Sequence, residues 1–186
     1  MRQRRSRSAA PDTTLLPPDP DQAWRALSLV NDWVKHAEVK LGVVLTATGV
    51  SGGILFNLAK DRSNASIAFN IAAVVCGISL FSAGSCAMMG IYPRVRAWRN
   101  LTDEIVNPLF FHDVALAYKK DYLSYGAVLH TLTTNPNDLV RHLGQQIHAN
   151  ATVARRKYRW ANRATRALLL GLLALAALAA IIALKK

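Results

Sequence analysis

Charge is what this sequence lacks most. Asp, Glu, Lys and Arg make up 18% of its 186 residues, below the roughly 25% usual in soluble domains. The deficit is local: no charged residue lies between Lys40 and Lys60, between Arg62 and Arg94, or between Arg166 and Lys185. Each gap is long enough for the roughly 17–25 residues with which a helix crosses a hydrocarbon core. A simple soluble enzyme domain is thereby excluded. Cysteine is nearly absent too. Cys76 and Cys86 lie ten residues apart in one apolar stretch, about 15 Å along a helix, too far to bridge within one chain. No redox or metal framework is visible.

Catalytic constellations are equally missing. The five histidines, His36, His112, His130, His142 and His148, include no i, i+4 pair of the kind a helical zinc site needs. There is no phosphate-binding loop, no nucleophile elbow and no carboxylate pair, so neither an enzyme nor a bound metal or cofactor is expected. Nothing alternates with a period of two, and the chain is predicted to be all α.

The charge that is present is strongly positive: 23 Lys and Arg against 11 Asp and Glu, a net charge of +12. Its placement is uneven. Nineteen of the 23 basic residues fall in 1–40 and 93–166, and the 60–66 loop and the C-terminus hold two each. This alternation is the positive-inside pattern. It predicts three transmembrane helices, 41–59, 67–92 and 167–184, with the N-terminus and 93–166 cytoplasmic and the C-terminus outside. Trp24, Trp33, Trp98 and Trp160 all fall on the inferred cytoplasmic side, where amphipathic rings suit the interface. Because topology explains the basic pI, and no base-reading motif is present, nucleic acid is not an expected partner.

Along the chain, 1–21 reads as a disordered, basic, proline-containing leader with no apolar core of a signal peptide. Residues 22–40 read as an amphipathic juxtamembrane helix, with Trp24, Leu27, Val30, Val34 and Ala37 at helical spacing. In the first span, Gly49 and Gly53 form a GxxxG pair suited to close helix contact, either with the second span or with another copy. Ser82, Cys86 and Gly90 form a similar small-residue stripe in the second span. Residues 93–166 form a small cytoplasmic helical region. A helix is predicted over 94–106, ended by Pro108, and another over 109–132, where Val114, Tyr118, Tyr122, Tyr125 and Leu129 recur. Asn135 then reads as an N-cap with Pro136 at the first helical position, opening one long helix that runs on through the third span.

Binding has more material than catalysis. Arg155, Arg156, Lys157, Arg159 and Arg163 cluster just before the third span. Two readings stay open: anionic lipid headgroups, or an anionic ligand whose phosphate is gripped by cations near aromatic groups. Tyr118, Tyr122 and Tyr125, with Gln145, Gln146 and Asn150, could supply the aromatic and hydrogen-bonding parts, although the tyrosines equally suit core packing.

Three stretches resemble a known family: Trp33-Val34-Lys35-His36-Ala37-Glu38-Val39-Lys40 before the first span, Asn107-Pro108-Leu109-Phe110-Phe111-His112-Asp113 after the second, and 146–158, from Gln146 and Asn150 to Arg155-Arg156-Lys157-Tyr158, before the third. In order and in span arrangement they are similar to the membrane effectors of Pycsar, the bacterial pyrimidine-cyclase antiphage system. The resemblance covers about 24–184. It implies an inner-membrane protein that senses cyclic UMP or cyclic CMP made by a partner cyclase during phage infection. It further implies disruption of the membrane and death of the cell. Assembly of several copies on activation is expected from the glycine faces of the spans. On this reading Arg155, Arg156 or Lys157 holds the phosphate, and Tyr118 or Tyr122, with Gln146 and Asn150, lies near the base. The rival reading is a constitutive membrane scaffold whose cytoplasmic helices dock a protein partner.

Overall fold

The computed structural model describes residues 17–60, 66–92 and 107–184. Most of the leader, the 94–106 helix and Trp98 lie outside the described residues. Five helices are present among those described: α1 (Pro20–Ala59), α2 (Ile67–Ile91), α3 (Phe111–Ala117), α4 (Tyr122–Thr134) and α5 (Pro136–Ala183). α1, α2 and α5 are each long and apolar enough to cross a membrane.

Local chemistry explains where these helices start. Asp19 caps α1, its carboxylate accepting from the backbone N–H groups of Asp21 at 2.9 Å and Gln22 at 3.3 Å. Pro20 follows at the first position, where a missing N–H costs nothing. Asn135 repeats the arrangement for α5, accepting from Asn137 and Asp138 ahead of Pro136. α2 starts at Ser66, whose hydroxyl accepts from the Phe69 N–H. α1 has 40 residues and α5 has 48, about 60 and 72 Å at 1.5 Å per residue, twice a hydrocarbon core of about 30 Å. Both therefore extend well beyond the 25-residue α2, and no break separates their polar halves from their spans.

The stretch 109–132, expected as one helix, is two. α3 stops at Tyr118, Lys120 takes φ 73°, and Asp121 caps α4 by accepting from the Ser124 N–H at 3.0 Å. Lys119 and Lys120 carry positive charge at the negative end of α3, which favours stopping there.

α5 packs against both α1 and α2, and α1 against α2. Contacts such as Gly84 with Thr48 and Gly90 with Leu41 show α2 running antiparallel to α1. Gly90 with Trp160 and Gly171 with Leu80 show the same for α5, so α1 and α5 are parallel. The span core includes Leu41, Val44, Cys76, Leu80, Ala161, Ala164 and Leu168. A smaller cluster of Leu27, Leu132, Leu139 and Leu143 joins the polar halves of α1 and α5 to α4.

Candidate functional site

The seam between α1 and α5 is built on a heptad. Buried residues recur at three and four along α1 (Leu27, Val30, Ala37, Leu41, Val44) and along α5 (Ala154, Lys157, Ala161, Ala164, Leu168), the spacing that keeps two parallel helices in contact. Two polar rungs interrupt this seam. Asn150 donates from Nδ2 to Asn31 Oδ1 at 2.7 Å, and Lys157 Nζ lies 3.0 Å from Glu38 Oε1. The rungs are seven residues apart on each helix, about 10 Å along the axis. A slip of one turn would break both, so they fix the register of α5 against α1.

The second rung also includes α2. Lys157 Nζ donates to the Gly90 carbonyl at 3.3 Å, one of the last four carbonyls of α2, which have no partner within their own helix. The negative end of the α2 dipole favours a cation there. One turn further into the span, Leu41, Gly90 and Trp160 close the same three-helix junction. A Cβ on Gly90 would come within 2.7 Å of Leu41 Cδ1 and 3.0 Å of Trp160 Cβ, so any larger residue requires the buried Leu41 side chain or α5 to shift. Beside it, the Lys40 ammonium lies 5.3 Å from the Tyr158 ring centre, a further α1–α5 contact of cation–π type.

The expected ligand residues fall into two groups. Gln146, Asn150 and Lys157 share the seam-facing side of α5; Gln146 Nε2 donates to Asn150 Oδ1 at 3.5 Å. Arg156 is half-buried beside them and Arg155 is exposed. Tyr118 and Tyr122 belong to the α3–α4 corner instead. Tyr118 packs on Tyr125 with ring centres 5.3 Å apart, the Tyr125 hydroxyl donates to the Pro108 carbonyl at 3.0 Å, and Tyr122 is 78% exposed. That corner joins α5 through Asn107, whose Nδ2 donates to the His142 carbonyl at 3.3 Å. His142 stands thirteen residues before Arg155, about 20 Å along the helix. Among the described residues, no contact joins the tyrosines to the basic cluster.

The corner has its own electrostatics. Burial, and secondarily the Arg141 charge, lower the His142 pKa against the opposing pull of Asp138 and a Gln145 hydrogen bond, so the ring is neutral near pH 7. Hydrogen bonds from Ser124 hold the Asp121 carboxyl below its ordinary range.

Small residues divide as well. Nothing lies within 4 Å of a Cβ built on Gly49 or Gly53, and both are on the outer side of the bundle, with Ser82 also exposed. Gly90 is buried at the junction, and Cys86 packs against the span core. An apolar groove of about 670 Å³ between α1 and α2, bordered by Thr48, Gly52, Gly77, Phe81 and Gly84 among others, opens outward.

Asn31 and Glu38 carry half of the two rungs; Glu38 lies within the Trp33–Lys40 stretch, but neither residue has a role that the sequence alone assigns. A heptad drawn through Leu27, Ala37 and Leu41 on α1 and through Ala154, Ala161 and Leu168 on α5 would have placed Lys157 inside.

Comparison with known proteins bears on the whole of this arrangement. The Pycsar effector protein domain family matches residues 22–184, spanning nearly all of α1 and the whole of α2 to α5. The Pycsar effector protein PtPycTM of Propioniciclava tarda is 39% identical over 149 residues, 80% of this chain and 73% of that protein. No solved structure matches. With three membrane-crossing helices and a family match over this range, the chain belongs to the Pycsar transmembrane effectors and has their antiphage role.

Proposed function

We propose that this effector is switched on by a cyclic pyrimidine mononucleotide, cyclic UMP or cyclic CMP, made by a partner cyclase, and that it then impairs the inner membrane and kills the infected cell. The observation that carries the reading is the polar α1–α5 seam, which lies on helices continuous with two of the spans. Gln146 and Asn150 carry amides suited to a pyrimidine edge. Lys157, Arg156 and Arg155 lie two turns on, within reach of a phosphate on the same molecule. A ligand that takes Asn150 and Lys157 from Asn31 and Glu38 exchanges the contacts that fix the register of α5. Its differential affinity for the new register supplies the driving force.

In the membrane, the outward Gly49–Gly53 face and the α1–α2 groove are surfaces on which activated copies assemble. The uneven distribution of Lys and Arg supports an orientation with the N-terminus and 93–166 in the cytoplasm, where the nucleotide would be made, and the C-terminus outside. The test is a viability assay in cells expressing the effector with its cyclase. Arg155→Ala with Arg156→Ala is expected to abolish killing and nucleotide affinity together; unchanged affinity would remove these arginines from the site.

A second reading, a scaffold that docks a protein partner, draws on Phe111, Leu116, Tyr122 and Leu123, large apolar residues 56–78% exposed on α3 and α4. It requires no nucleotide and leaves the membrane intact.

A further inference from the structure

The five cations before the third span do not act as one group. Lys157 is consumed by the seam, and Arg155 and Arg156 flank it. Arg159 and Arg163 continue instead into Arg166, and all three are exposed. At 100° per residue they fall within about 60° of arc, on the face opposite Lys157, and span about 10 Å of helix axis. That face is turned away from α1 and α2.

No carboxylate pairs with these three among the described residues, and α5 carries a single acid, Asp138, at its other end. Directly after Arg166 the chain is apolar to Leu184. The triad therefore stands where α5 leaves the hydrocarbon. Trp160 marks the same level, partly buried against the span core, with the Arg163 guanidinium 5.0 Å from its ring centre. A tryptophan that is apolar on one side and covered by a cation on the other suits the headgroup layer.

From this geometry we infer that Arg159, Arg163 and Arg166 form a binding surface for the phosphates of anionic phospholipid headgroups, separate from the polar seam. Guanidinium groups on a lipid-facing line can each meet a phosphate in bidentate fashion. The surface does not depend on what ligand the seam takes. It makes lipid charge a determinant of how firmly α5 is held at the interface.

The test uses the full-length protein in neutral detergent, titrated with phosphatidylglycerol or phosphatidylcholine and read by native mass spectrometry for bound lipid. Phosphatidylglycerol is expected to be preferred on the order of a hundredfold at low salt, with the preference shrinking as salt rises. The triple variant Arg159→Gln, Arg163→Gln, Arg166→Gln is expected to bind both lipids alike. If that variant does not fold, the single change Arg159→Gln, at an exposed position, is expected to lose about fivefold of the preference. Equal retention of the two lipids by the unaltered protein overturns the proposal, as does an undiminished preference in a folded variant. Displacement of the lipid by millimolar inorganic phosphate would make this a site for free phosphate and would overturn the lipid assignment.

Discussion

Lys157 and Glu38 form an ion pair at 3.0 Å whose two ends differ in surroundings: the lysine side chain is 8% exposed, the glutamate 49%. The ammonium has given up water for one carboxylate and one backbone carbonyl, whereas the glutamate side chain stays about half exposed. The pair therefore sets a register more than it adds stability, since desolvating the lysine offsets much of the attraction.

An asymmetry between the two partners follows. Glu38→Gln strands a buried ammonium and is expected to cost about 2 kcal/mol, below the 3–5 of fully buried pairs because Glu38 is half in water. Lys157→Met leaves a solvated carboxylate and fills the space between Ala154 and Ala161, at a cost within about 1 kcal/mol. The double variant is expected to match Lys157→Met alone. Thermal unfolding of the four proteins in detergent completes the cycle.

Glycine substitutions should separate contacts within one chain from contacts between chains. Gly90→Ala forces a Cβ against Leu41 and Trp160 and is expected to lower stability by about 1–3 kcal/mol, the usual cost of overpacking. At Gly49 and Gly53 a Cβ meets nothing within 4 Å in the same chain and both positions are exposed, so Gly49→Leu with Gly53→Leu is expected to leave stability unchanged. Loss of cell killing by that pair, with unfolding unaltered, would report a contact between copies; full killing would remove the first-span face from assembly.

The α3–α4 corner should be sensitive to acid. His142 has a pKa below its ordinary 6.5 in the folded chain, so the unfolded chain binds the extra proton first. Its contribution is complete above about pH 6.5 and is lost as pH falls from there toward the lowered value. His142→Leu is expected to flatten the pH dependence of unfolding across that window. An unchanged slope would assign the acid sensitivity to other groups.

Much of this architecture is legible in the residues because its causes are local. Charge gaps mark the spans, and Asn135-Pro136 marks the start of α5. The end of α3 is harder to read: Tyr118, Tyr122 and Tyr125 keep helical spacing across the break, and neither glycine nor proline announces it. The usable signal is Asp121 three residues before Ser124, with two lysines ahead of it. The fate of the basic cluster is not local at all. Five cations look alike in sequence, and only the phase of α5 against α1 and α2 buries Lys157 while leaving Arg159 and Arg163 outside. Gly49 and Gly90 are likewise the same letter, one facing outward and one closing a three-helix junction.

The two groups of expected ligand residues can be weighed against each other. Asn150→Ala removes an amide from the seam and is expected to weaken nucleotide binding about tenfold, the worth of one to two hydrogen bonds. Tyr122→Ala, at an exposed position of the corner, is expected to leave affinity unchanged. The reverse pattern, read by the same titration, would move the site to the corner.

The most direct measurement is a calorimetric titration of the full-length protein in nanodiscs with cyclic UMP, cyclic CMP and cyclic AMP. Saturable binding of one pyrimidine nucleotide, with cyclic AMP silent, is the expected result. A folded sample that binds none of the three, or binds cyclic AMP equally well, would contradict a pyrimidine sensor at the α1–α5 seam.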